Sequence, residues 1–344
     1  LGEYLQRGRT NPEAEDAGVS VNELLLAYLR YARQYYPKGI SRTSEYDQIR
    51  LAVPELKRLY GLTPANDFGP LALKALQEAF IKKKLTRQGV NRRISRIVRI
   101  FKWGVENEMV DPMAHHALGQ VSGLKRGRTE AAESSPIRPV EDERVDALQP
   151  HVSRQVWAMI ELQRATGMRP GEACQMRSGD IDRSTAVWVY TPRKHKTEHH
   201  GHHRSVYLGP RSQQILQPWL KDNPDAYLFS PREAEKERRA KQRAERKTKV
   251  QPSQKNRKKP NPKRTPRDCY DTASYYRAIY RGCELANVKK WHPNQLRHTA
   301  ATEIRKRFGV EAASILLGHR EVGVTQIYAE RDEKRAIEVA AEFG

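Results

Sequence analysis

Between residues 119 and 143 the chain reads GQVSGLKRGRTEAAESSPIRPVEDE, a stretch with no helical stripe and a high content of Gly, Ser, Pro and charge. Such text has no apolar face to bury, so it reads as a linker between folded parts. The text on either side is patterned, and 344 residues exceed what one compact core usually holds. Two domains are therefore expected, residues 19–118 and residues 144–344. Residues 1–18, LGEYLQRGRTNPEAEDAG, form a short N-terminal segment; because the chain opens on Leu1, they read as the remainder of a truncated region. They lack the basic stretch and apolar run of a secretory signal.

The first domain reads as helices. In VNELLLAYLRYARQYY, Leu24, Leu25, Tyr28, Leu29 and Ala32 recur at helical spacing, and SEYDQIRLAVPELKRLYG and GPLALKALQEAFIKKKL repeat the pattern. A fourth helix, RQGVNRRISRIVRIFKWGVENEMV, has an apolar stripe of Ile94, Ile97, Val98 and Phe101. Its other face carries Arg92, Arg93, Arg96, Arg99 and Lys102, with no acidic residue before Glu106. Such a face is either a solvated surface or a track for a phosphate backbone. The lack of acidic residues favours the track. The chain's formal net charge of +22 likewise suits a polyanion, DNA or RNA first of all. No run approaches the roughly 18 apolar residues of a transmembrane helix, so a membrane is the weaker partner.

The second domain opens with helical text through RQVWAMIELQRATG and continues into MRPGEACQMRSGDID. AVWVYTP (186–192) and RSVYLGP (204–210) read as two strands of a hairpin or small sheet around the turn HKTEHHGHH, with a further helix at 211–221. Residues 232–267 hold sixteen Lys and Arg against four Glu. They cannot bury a core and are expected to be flexible or only partly helical until they meet a partner. The three cysteines, Cys174, Cys269 and Cys283, form no C-x-x-C pair and suit a reducing, intracellular compartment.

Two stretches of this domain carry residues suited to phosphate chemistry. ATGMRPGE (165–172) puts Arg169 where a helix starts, with Glu172 one turn along to hold the guanidinium still. A planar guanidinium offers paired donors to phosphate oxygens, which an ammonium does not. The second stretch, HPNQLRHTAATEIRKRFGVEAASILLGHREVGVTQIYAERD (292–332), holds R-H-T at 297–299, L-G-H at 317–319 and Tyr328. Taken singly, Arg297 reads as a charge on a helix whose Leu296, Ala300, Ile304 and Phe308 face the core. His319 reads equally as a helix cap and Tyr328 as a half-buried helix residue.

Together, in this order and spacing, they resemble the tyrosine recombinase family, also called phage integrases. The resemblance implies a mainly α, two-domain fold: a helical core-binding domain (SAM-like) and a mixed α/β catalytic domain with a small antiparallel sheet. It implies that Tyr328 is the nucleophile that forms a 3′-phosphotyrosine and frees a 5′-hydroxyl, storing the bond energy so that strands reseal without ATP. Arg169 and Arg297 match the arginines that neutralise charge on the non-bridging oxygens. His319 matches the histidine that bonds the phosphate or supports proton transfer, and Lys196 the lysine that protonates the leaving 5′-oxygen, with Lys194 as its competitor. Glu172 and His298 would support these groups from behind.

One position departs from the pattern. Asn294 stands three residues before Arg297 where the family usually has His; an amide donates a hydrogen bond but cannot accept and release a proton at neutral pH. His292, two residues earlier, substitutes only if the loop bends. The histidines at 195, 199, 200, 202 and 203 invite a metal reading, yet alternate positions on a hairpin rarely supply fixed tetrahedral geometry. GDID at 179–182 reads as a turn before the strand rather than a magnesium site, so no metal or other cofactor is expected.

The resemblance implies a clamp on double-stranded DNA, self-association to a tetramer on DNA, and accessory DNA-bending or directionality proteins, in a cytoplasmic, nucleoid-associated setting. EKRAIEVAAEF (333–343) is either a docking segment for a neighbouring protomer or a helix packed in cis. The expected activity is that of a mobile element's integrase. A recombinase resolving chromosome dimers, a type IB topoisomerase and a catalytically silent DNA-binding protein of the same fold are the alternatives.

Overall fold

The computed structural model describes residues 18–36, 44–193, 204–249, 251–252 and 266–318. It divides into two compact units, Leu1–Pro136 and Ile137–Gly344.

In the first unit, short polar side chains start the helices where their hydroxyls or carboxylates can take orphan amides. α1 (Val21–Tyr35) opens on a capping box, with the Ser20 hydroxyl taking the Glu23 amide while the Glu23 carboxylate takes the Ser20 amide at 2.8 Å. α2 (Glu45–Tyr60) repeats it with Ser44 and Asp47. α3 (Pro70–Lys82) starts on a proline, α4 (Arg87–Glu106) is capped by Thr86 and α5 (Pro112–Gly119) by Asp111. The stripes meet in one core: Leu24, Leu25, Tyr28 and Ala32 pack with residues of α2, α3 and α4 that include Ile49, Leu56, Phe80, Ile97 and Phe101. Leu29 and Val98, expected in the stripes, are half-buried at its rim.

The expected linker is divided between the units. Its first part is sewn to α3 and α4: Gln77 donates to the Ser122 carbonyl at 3.3 Å, Asn91 exchanges two bonds with the Leu124 backbone, and the Arg87 amide donates to the Ala132 carbonyl at 2.9 Å. Beyond Pro136 the chain joins the second unit, where the Val140 amide donates to the Thr299 hydroxyl at 3.1 Å.

The second unit is built around α7 (Arg154–Thr166), which follows α6 (Asp142–Asp146) and buries Val156, Ala158, Met159, Ile160 and Leu162 on several sides. Around it stand α8 (Pro170–Cys174), α9 (Pro210–Leu216), α10 (Pro231–Ala244), α11 (Thr272–Leu285) and α12 (Asn294–Leu317). The expected hairpin forms as β2 (Trp188–Tyr190) and β3 (Val206–Leu208), antiparallel with Tyr190 opposite Val206. GDID follows the predicted turn only in its first half, Gly179 and Asp180 lying in a single 3-10 turn. Ile181–Asp182 is a third strand, β1, pairing with β2 on the side away from β3.

A second correction concerns Phe308. It was expected on the core side of its helix and is 70% exposed. The helix buries Leu296, Arg297, Ala300 and Ala301, and its path breaks at Gly309, where φ is +87°. Phe308 ends the first helical stretch and, with Ile304 and Arg164, lines an open groove of about 430 Å³. The basic stretch from 232 is helical as far as Ala244, within the partly helical expectation. No helix among the described residues is long and apolar enough to cross a membrane.

Candidate active site

Arg169 is held by two local devices. The turn before it is fixed by side chains: the Thr166 hydroxyl donates to the Leu162 carbonyl at 2.6 Å and accepts from the Met168 amide, while the Gln163 amide group donates to the Met168 carbonyl at 2.9 Å. After it, α8 begins with Pro170, whose missing N–H costs nothing at that position. The Glu172 carboxylate takes the Arg169 amide at 2.8 Å and its guanidinium, through Nη1, at 2.9 Å. The expected pairing of Arg169 with Glu172 is thus present. Arg169 keeps 27% of its side chain exposed while Glu172 keeps 3%.

Glu172 has a second partner that sequence reasoning missed. Arg204, 5% exposed, donates to the same carboxylate through Nε at 3.2 Å. Burial pushes the Glu172 carboxyl upward, but the charges of Arg204 and Arg169 outweigh it and hold the group below the usual carboxylate range. The sheet braces the pair from behind, since the buried Tyr190 hydroxyl donates to the Glu172 carbonyl at 2.9 Å.

Arg297 lies deeper still, at 1% exposure. Its Nη1 donates to the Gly167 carbonyl at 2.8 Å and its Nη2 to the Leu317 carbonyl at 2.7 Å. These carbonyls belong to the ends of α7 and α12, where unpaired C=O groups and the negative end of the helix dipole favour a cation. Arg204 reaches the same place, with Nη1 3.4 Å from the Leu316 carbonyl. Two guanidiniums therefore hold the turn at 316–318, immediately before His319.

Two glycines make this approach feasible. Gly167 and Gly318 cap their helices in the left-handed region, at φ +62° and +64°. A Cβ on Gly167 would stand 2.5 Å from the Leu317 side chain, and one on Gly318 2.4 Å from Arg204 Nη1.

The remaining candidates are placed as follows. Asn294 is half-buried in the first turn of α12, one turn before Arg297, and His298 is 5% exposed on the same helix. His292 sits with its ring 6.4 Å from that of Tyr276; burial lowers its basicity. Lys194, Lys196, the histidine cluster at 195–203, His319 and Tyr328 lie outside the described residues. Among the described residues no group of three or more His, Cys, Asp or Glu is arranged to hold a metal ion. The GDID carboxylates have other partners, Asp180 taking Arg193 Nε at 2.6 Å and Asp182 the Ser184 amide at 2.9 Å.

In the first unit the basic face of α4 is partly neutralised from another helix. Arg96 makes a bidentate pair with Glu45 at 2.9 Å on both arms, and Arg99 donates to the same carboxylate. Together they outweigh its burial and hold it low. Arg93 lies over the Phe80 ring at 5.3 Å, while Arg92 and Lys102 are exposed.

The model of the phage integrase family matches residues 144–335, more than half of the chain. The chain belongs to the phage integrase family. Solved structures of tyrosine recombinases share the fold. A lambda integrase dimer bound to a COC′ core site superposes with a TM-score of 0.65 at 14% identity, over 96% of this chain and 84% of that one. A lambda integrase tetramer bound to a Holliday junction gives 0.61 at 14%, over 93% and 84%. The Tn1549 transposon integrase in complex with a circular intermediate DNA gives 0.60 at 15%, over 94% and 100%. At these identities the likeness is one of fold. A comparison with curated protein sequences gives no match.

Proposed function

We propose that this phage integrase family member is a site-specific DNA recombinase, the integrase of a mobile element, which cleaves and rejoins duplex DNA through a 3′-phosphotyrosine without metal or ATP. The observation that carries the reading is the run of contacts from Arg169 through Glu172 to Arg204, which together with Arg297 holds the 316–318 turn that leads into His319. Fixed cationic donors aimed where charge develops are the largest catalytic contribution available to phosphoryl chemistry. Solved relatives on a core site, a junction and a circular intermediate support DNA as the substrate.

In the proposed reaction the Tyr328 phenol oxygen bonds to phosphorus and the bond to the 5′-oxygen breaks. The phenol proton leaves through His319, and Lys196 gives the 5′-oxygen its proton. One phosphate ester replaces another, so attack by a second 5′-hydroxyl reverses the step. Arg169, part exposed and oriented by Glu172, binds the non-bridging oxygens; Arg297 supplies fixed positive charge beneath them. Asn294 donates a hydrogen bond but takes no part in proton transfer. Four protomers join two duplexes, with accessory DNA-bending or directionality proteins setting the outcome.

Asn294 also motivates a second reading, a silent DNA-binding protein on this fold. A nicked suicide duplex carrying the attachment site that flanks the gene separates the two. With EDTA present, wild type should give an SDS-resistant adduct and Tyr328→Phe none. Tight binding to a verified site without any adduct would establish the silent binder.

A further inference from the structure

Helix α10 (Pro231–Ala244) belongs to the basic stretch, and nothing in the proposed chemistry uses it. Its N-terminal half is docked by its acidic side chains. The Ser230 hydroxyl caps the Glu233 amide, Lys221 pairs with the Glu233 carboxylate at 2.6 Å, and Gln155 of α7 donates to Glu237 at 3.0 Å. Glu233, Glu237, Ala240 and Ala244 follow one another at spacings of four, three and four; Glu233 is half-buried, while Glu237 and the two alanines are exposed, so the helix is held at its start and stands free beyond.

Arg232, Lys236, Arg239 and Arg243 follow the same spacing one residue earlier and make a neighbouring stripe that is exposed throughout. The basic residues of 245–249 continue it, also exposed. Of the pairs on this stripe, Arg232 with Asp268 is solvent-exposed, while Arg239 shares the partly buried Glu235 carboxylate with Arg238. An exposed pair contributes little and exchanges readily for a stronger anion.

The chemistry of the stripe selects its partner. From Arg232 to Arg243 a helix rises about 16 Å, the span of four to five phosphates of one strand at roughly 3.4 Å each. The helix has no aromatic residue to stack on an unpaired base and no apolar anchor of the kind that holds a protein interface. Gln242 is its one side-chain amide, so any reading of base edges would fall to its arginines, and the random-sequence duplex of the test isolates the phosphate contact.

We propose that the exposed stripe of α10 is a sequence-independent contact to the phosphate backbone of duplex DNA, separate from the active-site residues. The proposal rests on the reading that the chain acts on DNA. It adds a second electrostatic hold, anchored on the catalytic unit near the start of the helix through Glu233 and Glu237. Arg and Lys act here as charges rather than as base readers.

The test uses the full chain and a random-sequence duplex, with affinity measured by fluorescence anisotropy as salt is raised. The variant Arg232→Gln/Lys236→Gln/Arg239→Gln/Arg243→Gln should bind at least roughly tenfold more weakly at moderate salt. Its log–log salt slope should be shallower by about 3–4, from the loss of four released counterions. A second variant, Arg232→Lys/Arg239→Lys/Arg243→Lys, should keep the wild-type slope. An unchanged slope in the Gln variant, or an equal loss in the Lys variant, would overturn the proposal while leaving DNA as the substrate. Absence of any binding by wild type would instead overturn the DNA reading on which it rests.

Discussion

Glu172 sits between two guanidiniums at 3% exposure, and both its neighbours depend on it. Removing one partner of a buried pair leaves an uncompensated charge, a loss of about 3–5 kcal/mol. Arg204→Ala should therefore lower the stability of the catalytic unit by an amount in that range, measured by urea unfolding. Adduct formation should slow more than duplex affinity falls, because the Glu172 carboxylate that orients Arg169 loses its second anchor. The lowered carboxyl of Glu172 also sets a pH dependence. Its stabilisation is fully present above the ordinary carboxylate range and drains away as pH falls through its own lower value. Glu172→Gln should lose stability at neutral pH and show a flatter acid limb than wild type in melting temperature against pH. Glu172 was legible in the sequence because it stands one helical turn from Arg169. Arg204 was not, since its carboxylate lies thirty-two residues away and a lone arginine just before a hairpin's second strand carries no periodic signal.

Helices were the most legible elements, since apolar residues recur every three or four positions; the caps at Ser20, Ser44, Thr86 and Asp111 emerge only with the structure. β1 was not, because two residues are too few to show an alternation. Nor was the break in α12. The i, i+4 series through Ile304 to Phe308 presumes an unbroken helix, and Gly309 ends it. Phe308→Ser should accordingly shift stability by no more than about 0.5 kcal/mol, against about 2–5 kcal/mol for Leu296→Ala. At the helix ends, Gly318→Ala adds a left-handed penalty of about 1–2 kcal/mol to the collision with Arg204. It should lower the melting temperature and reduce adduct formation, whereas a fully active, equally stable variant would contradict the role given to the 316–318 turn.

At the scale of the molecule, net charge pointed to a polyanion, and the boundary between the two compact units falls at Pro136, inside the unpatterned stretch at 119–143. Composition could not show that the first half of that stretch is bonded to α3 and α4, because those bonds use Gln77, Asn91 and main-chain groups. Nor could it show that Glu45 partly neutralises the face of α4. If that face contacts DNA, phosphate must displace Glu45, and Glu45→Gln should raise duplex affinity at low salt, read from the same anisotropy titration. Whether the arginine-held turn serves a tyrosine that becomes linked to DNA is read by digesting the trapped adduct with trypsin and sequencing the nucleotide-bearing peptide by mass spectrometry. The expected product is a 3′-phosphonucleotide on Tyr328 in EVGVTQIYAER (321–331); a DNA link to any other residue would contradict the proposed nucleophile.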